Sequence, residues 1–192
     1  MDLWHQRLGH ASHKQIEKIS KCEAILSLPK FEKIEKSICR PCQIGKQVKA
    51  KHPSINEVQT SRPLELFHID LIGPAKVQSL GRMKYLLVVV DDFTRYTWVI
   101  LLKDKSEAPD KLIHLCKKQQ VEKNTLIARI RSDHRREFEN SKLGFFCNDQ
   151  QTKQEFSTPK TPQQNWVMER KNRVIQEMAR VMLNNKSMPK SF

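Results

Sequence analysis

Glycine is scarce in this chain, 5 residues in 192 and under 3%, against an average usage of about 7%. The shortage bears on turns, where glycine supplies the positive φ that other residues adopt only at a cost. Long apolar runs are also missing. No stretch reaches the ~18 apolar residues of a membrane-spanning helix, so no such helix is expected. The N-terminal MDLWHQRLGH lacks the apolar core of a signal peptide. No internal repeat is present. The five cysteines are an odd number in a chain without a secretion signal, which argues for a reduced compartment and for metal binding.

Basic charge is what the chain has in excess. It carries 35 Lys and Arg against 21 Asp and Glu, a formal net charge of +14 and a pI near 9.7. That balance suits a polyanionic partner, nucleic acid first and an anionic membrane surface second. A soluble basic protein without a specific partner is the plainer alternative. The excess is +6 over residues 1–62 and +8 over residues 63–192, so it does not sit in one tail. The length allows one ordinary domain, or a small one beside a medium one.

The texture changes along the chain. Residues 14–20, KQIEKIS, place Ile16 and Ile19 at helical spacing. Residues 51–62 are polar, with Pro53, and read as a linker that ends at Pro63. Beyond it, 64–73, 83–92 and 95–102 read as strands, the last two as a hairpin through Phe93–Thr94. A helix is expected over 107–122 behind a Ser106 cap, with Leu112, Ile113, Leu115 and Cys116 inward. Then follow a strand at 125–132, a helix at 136–149, a short strand at 152–157 and a long helix at 163–184. The long helix carries an apolar stripe of Val167, Val174, Ile175, Met178, Val181 and Met182. Three strands followed by alternation predict an α/β fold of the α+β type, a mixed sheet with helices packed on it.

Two constellations carry chemistry. In the first, His5 and His10 are followed by Cys39 and Cys42, with two residues between the thiols. A Cys-x2-Cys turn presents two thiolates to one tetrahedral ion, and zinc takes such nitrogen and sulfur ligands. A zinc staple suits a segment too small for a good core. Two buried thiols and two solvated histidines are the alternative. His13, Cys22 and His52 are spares, and His13 ranks below the four. The second constellation is Asp70, Asp133 and Glu169. Asp70 interrupts an apolar strand, a costly place for a charge unless something binds it. Asp133 follows a strand, and Glu169 opens the long helix beside Asn165. Three acids around one point suit Mg²⁺. Two such ions about 3.5–4 Å apart support phosphoryl transfer.

LWHQRLGH, CRPCQIGK, FHIDLIGP, YLLVVVDDFTRYTWV and TPQQNWVMERKNR together resemble the copia-type retrotransposon integrases, part of a retroelement Pol polyprotein. The resemblance runs over essentially the whole chain. It implies a zinc-binding pre-integrase domain at 1–50 and a ribonuclease-H-like catalytic core at 63–192. Asp133 and Glu169 have 35 residues between them, the interval of the family's D,D-35-E signature, and Asp70 fits the first acid. The implied core binds two Mg²⁺ or Mn²⁺ ions, trims 3′ ends of element DNA and joins them to host DNA. The resemblance implies a homo-oligomer acting in the nucleus, with DNA as partner and no membrane. Asn165, Arg170, Lys171 and Arg173 are candidates for nucleic-acid contacts, a solvated basic face being the alternative.

The chain departs from the family pattern at four glycines, replaced by Arg135, Arg136, Gln151 and Trp166. A Cβ at a turn that needs φ > 0 costs ~1–2 kcal/mol. Arg135 and Arg136 are also expected to compete with metal for Asp133. The family continues beyond the residues matching 189–192, so the core is expected to be C-terminally incomplete. Integration activity is therefore expected to be weak or absent. The alternatives are a working integrase, an inactive relic that binds zinc and nucleic acid, and a basic zinc module on a core scaffold.

Overall fold

The structure is a computed structural model describing residues 2–31, 38–45, 60–133, 137–156 and 162–189, with side chains of the last helix described from Val167 onward. The expected linker lies largely outside the described residues, as do His52, His134, Arg135 and Arg136. So do the side chains of Asn165 and Trp166. The chain divides into two compact units, in the main residues 1–52 with 173–190, and residues 53–172.

The first unit is helical. It contains α1 (Asp2–Arg7), α2 (His13–Lys21) and α3 (Arg40–Gly45). Ser12 caps α2 in a capping box, its hydroxyl accepting from the Gln15 amide while the Gln15 side chain reaches back to the cap. Ile16 is fully buried and Ile19 half-buried, as their spacing predicts. Helices α1 and α3 carry no helical periodicity long enough to read in the sequence, being six residues each. Gly45 closes α3 where a Cβ would meet Val181 Cγ2 at 2.5 Å and its Cα at 3.1 Å. No larger residue fits there without moving backbone, so glycine is kept at this close approach.

The second unit is built on a five-stranded sheet of order β3-β2-β1-β4-β5. Its strands are β1 (Leu66–Ile72), β2 (Tyr85–Asp91), β3 (Thr97–Leu102), β4 (Arg129–Ser132) and β5 (Lys153–Phe156). β1, β2 and β3 form an antiparallel meander, while β4 and β5 run parallel to β1. Helices α4 (Ala108–Lys123), α5 (Ser141–Asp149) and α6 (Pro162–Asn185) follow in the expected alternation, α6 belonging to this unit as far as Asn172 and to the helical unit from Arg173. One sheet face carries Phe67, Ile69, Leu71, Leu87, Val89 and Ile130. Leu112, Leu115 and Cys116 of α4 and Leu143, Phe146 and Cys147 of α5 close this core. Each fully buried large side chain contributes about 1.5–3 kcal/mol, which makes this face the main store of stability.

Several local expectations differ. Asp104, not Ser106, caps the entry to α4: its carboxylate accepts from the Ser106 amide and opens a 3₁₀ turn at Lys105–Glu107. α4 then starts at Ala108 with Pro109 in its first turn, where a missing N–H costs nothing. The strand expected at 125–132 is short, and residues 125–128 are irregular, leaving Leu126 exposed. Residues 137–140 form a turn, not the start of a helix. On α6, Val174 and Met182 are exposed, whereas Met168 and Val181 are buried. β1 ends at a cis Gly73–Pro74 bond, with Gly73 at φ 136°.

Candidate metal centres

In the helical unit, α1 stops at Arg7 and the chain turns back on itself. Gly9 and His10 take φ values of 62° and 60°, and the His10 amide donates to the His5 carbonyl at 2.7 Å. Two successive left-handed residues thus return His10 to His5. A non-glycine residue in that region is strained, a cost usual at a binding site. His5 stands in the last turn of α1 and His10 in the turn beyond it. Cys39 immediately precedes α3 and Cys42 lies in its first turn, where the Gln43 amide donates to the Cys39 carbonyl at 3.1 Å.

The four ligand atoms lie within 4.8 Å of one another. His5 Nε2 is 3.3 Å from Cys42 Sγ and 3.1 Å from His10 Nδ1. His10 Nδ1 is 3.4 Å from Cys39 Sγ and 3.6 Å from Cys42 Sγ. A tetrahedral zinc ion, with bonds of about 2.0–2.1 Å to nitrogen and 2.3 Å to sulfur, spaces its ligands about 3.3–3.7 Å apart. The donor set and its geometry are therefore consistent with zinc. His5 Nδ1 donates to the Ala11 carbonyl at 2.8 Å, which fixes the tautomer and turns Nε2 toward the cluster. His13 stands outside the four, its ring centroid 5.2 Å from that of His5. Cys22 is exposed.

In the sheet unit, the acids come from β1, the end of β4 and α6. β1 and β4 pair with Leu66 opposite Arg129 and His68 opposite Arg131. The pairing ends at His68 and Arg131; Asp70 lies two residues further along β1, and Asp133 one residue past the end of β4. Both aspartates are half-buried. Asp70 Oδ1 accepts from the Leu71 amide at 2.8 Å, and Asp70 Oδ2 accepts from Asn172 Nδ2 of α6. Glu169, one turn before Asn172, is exposed. Among the described residues, the His/Cys four are the group of three or more potential ligands that converge, so Glu169 is not gathered with the two aspartates.

Charges behind the acids are neutralised in pairs. Arg131 donates to Glu155 Oε2 from Nε at 3.2 Å and from Nη2 at 2.8 Å. Burial opposes the Glu155 charge, but the hydrogen bond and charge of Arg131 outweigh it and hold the carboxyl below its ordinary range. The β4 cation two residues before Asp133 is thereby engaged with an anion of its own. His68 donates to Asp92 Oδ1 at 3.1 Å, Arg95 meets the same oxygen at 2.9 Å, and Thr60 donates to Oδ2 at 3.0 Å. Burial works against the Asp92 charge, yet these partners hold its carboxyl down at about 2. Its neighbour Asp91 instead accepts from the Leu64 and Thr94 amides and so shapes the hairpin turn.

Of the proposed nucleic-acid contacts, Arg170 and Arg173 are exposed. Lys171 is half-buried and donates to the Arg95 carbonyl at 2.9 Å. Burial, then the charges of Arg95 and Arg170, pull its ammonium below the ordinary range. Its bond ties α6 to the β2–β3 turn. Sequence reasoning missed Asn172, His68, Asp92, Arg95 and Glu155. Only Asp92 left a trace, as a second acid beside Asp91 after a buried strand. Gln151, one of the four departures from the family glycines, sits at φ 53°, the conformation a glycine would take freely.

The GAG-pre-integrase domain family matches residues 1–47 and the integrase core domain family matches residues 60–162. The whole chain is similar, at 32% identity, to 14% of the retrovirus-related Pol polyprotein from transposon TNT 1-94 of Nicotiana tabacum. It is 32% identical over 190 residues to that from transposon RE2 of Arabidopsis thaliana, covering 98% of this chain and 13% of the relative. The chain thus spans about one seventh of the length of these relatives. Among solved structures, the HTLV-2 integrase catalytic core domain in complex with magnesium (trimeric form) is similar at 17% identity and a TM-score of 0.49. That likeness covers 66% of this chain and 77% of the other. The core match spans more than half of the chain, and the chain belongs to the integrase core domain family, in the pre-integrase-then-core arrangement of copia-type retrotransposon Pol polyproteins.

Proposed function

We propose that the sheet unit is a divalent-metal-dependent DNA strand transferase and that the helical unit holds one structural zinc. Asp70 and Asp133 supply hard carboxylate oxygens for Mg²⁺ or Mn²⁺, and Glu169 supplies the third when α6 presents it. Bound there, the ions would activate the attacking oxygen and stabilise the leaving one. In end processing, water attacks a phosphodiester near the element end and frees a 3′-hydroxyl. In joining, that hydroxyl attacks a target phosphodiester in line; one P–O bond forms as another breaks. Arg170 and Arg173 meet backbone phosphates, and Asn165 stands in the same segment. The DNA ends and the target are the partners, a homo-oligomer is the working form, and the nucleus is the place of action.

The observation that carries this reading is the parallel pairing of β1 with β4, the strands that lead to Asp70 and Asp133 two residues beyond the paired His68 and Arg131. A second reading, zinc and nucleic-acid binding without catalysis, is favoured by the exposed Glu169 and by Gln151 at φ 53°. A strand-transfer assay on element-end DNA with Mg²⁺ or Mn²⁺ separates the two. The catalytic reading expects joined product that disappears in Asp133→Asn. DNA and zinc binding with no joined product under either metal would leave the second reading standing.

A further inference from the structure

We propose that Glu155 is a positioning residue of the acidic centre: it holds the guanidinium of Arg131 away from Asp70 and Asp133, so that a divalent cation, and not the arginine, meets their charge. The inference rests on the metal reading given above. Arg131 comes two residues before Asp133, about 7 Å of extended backbone. Across the sheet it pairs with His68, two residues before Asp70 on β1. Burial keeps alternating past the end of β4, with Ser132 buried and Asp133 half-buried like Arg131. An arginine is long enough to reach over such a distance, and its planar fork matches a carboxylate. A cation within ~4–6 Å favours a carboxylate's charged form by about ten- to a thousand-fold. An unengaged guanidinium here would therefore compete with metal for the acids.

The structure engages it on the other side. β5 runs parallel to β4 with Glu155 opposite Arg131. Nε and Nη2 of Arg131 both donate to Glu155 Oε2, at 3.2 and 2.8 Å. The two side chains are only 12% and 18% exposed, so salt screens this pair less than a surface pair. The same carboxylate stands 3.9 Å from Arg129 Nη1 and 3.5 Å from Lys153 Nζ. Glu155 thus gathers basic groups of β4 and β5 around itself, on the strand that lies beyond β4 from β1. Burial opposes its charge, but the hydrogen bond and charge of Arg131 outweigh that and keep the carboxyl ionised. Removing one partner of a part-buried pair leaves the other charge uncompensated. For Arg131, Asp133 and Asp70 are carboxylates it would then meet.

The test uses the zinc-saturated full chain and free Mn²⁺ followed by its electron paramagnetic resonance signal. Glu155→Gln, which keeps the size and removes the charge, is expected to weaken Mn²⁺ binding at least about tenfold. Arg131→Gln alone should not weaken it. In the Arg131→Gln background, Glu155→Gln should have no further effect, because Glu155 acts through the arginine. Melting in EDTA checks that each variant is folded, and Glu155→Thr, a residue suited to a strand, repeats the measurement with a second side chain. Unchanged Mn²⁺ affinity in a folded Glu155 variant would overturn the inference and leave the metal reading intact. An equal loss in the Arg131→Gln background would mean that Glu155 acts on the ion by its own charge, and would overturn it as well. So would a loss on Arg131→Gln alone, which is what a merely structural pair predicts. A wild-type chain with no Asp70-dependent Mn²⁺ site would overturn both the inference and the metal reading.

Discussion

At the residue scale, the buried charged side chains act by holding one another. Asp92 is the clearest case. It is buried, yet His68, Arg95 and Thr60 keep its carboxyl at about 2 against an ordinary 3.8. Between those values the unfolded chain binds the proton and the folded chain does not, so stability rises with pH there. The contribution is whole above about pH 4 and is lost as pH falls toward 2. Asp92→Asn should cost roughly 2 kcal/mol at neutral pH, and its stability should fall less steeply over that acid range. Equal steepness in the variant and the parent, read from denaturant melts at several pH values, would contradict this. Such roles were not legible in the residues. Two of the three partners of Asp92, His68 and Thr60, lie 24 and 32 residues away, and it is the β1–β2 pairing that brings His68 within reach.

At the scale of elements, periodic segments were readable and short ones were not. β1, β2, β3 and the long α4 and α6 announced themselves by apolar spacing. α1 and α3, six residues each, depend on packing, because propensity alone does not make helices that short. The irregular 125–128 imitates a strand in composition, but only Ala128 bonds to its neighbours through the backbone, donating to the Leu64 carbonyl and accepting from the Lys153 amide. In the helical unit, the His/Cys four are the cohesive feature. One zinc per chain is expected by metal analysis, and Cys39→Ser should abolish it. The same change should loosen the unit, because a structural zinc site contributes folding free energy directly. Full zinc stoichiometry in Cys39→Ser would refute the assignment.

At the scale of the whole molecule, a net charge of +14 is the dominant long-range property. Binding to duplex DNA should fall steeply with salt, with a log–log slope near −0.9 per neutralised phosphate. Arg173→Ala should make that slope shallower by about 1, and binding should depend little on sequence. Salt-insensitive binding would count against phosphate contacts as the source of affinity. Lys171 should contribute less than Arg170 and Arg173, since burial and the Arg95 carbonyl already engage it.

The candidate ligands and most of the element order were already present in the order of amino acids. Chemistry of this kind depends on residue type and local spacing: two thiols on one turn, an acid breaking an apolar strand, a run of basic residues on a helix. The tertiary structure decided which of these meet. Parallel pairing makes neighbours of β1, which carries Asp70, and β4, which leads to Asp133 more than sixty residues later. The crossing of α6 gives Asp70 a partner in Asn172, and the pairing of Arg131 with Glu155 engages the nearby β4 cation. Register and helix rotation are set by the burial of whole faces, summed over many side chains. No short stretch of sequence contains that sum.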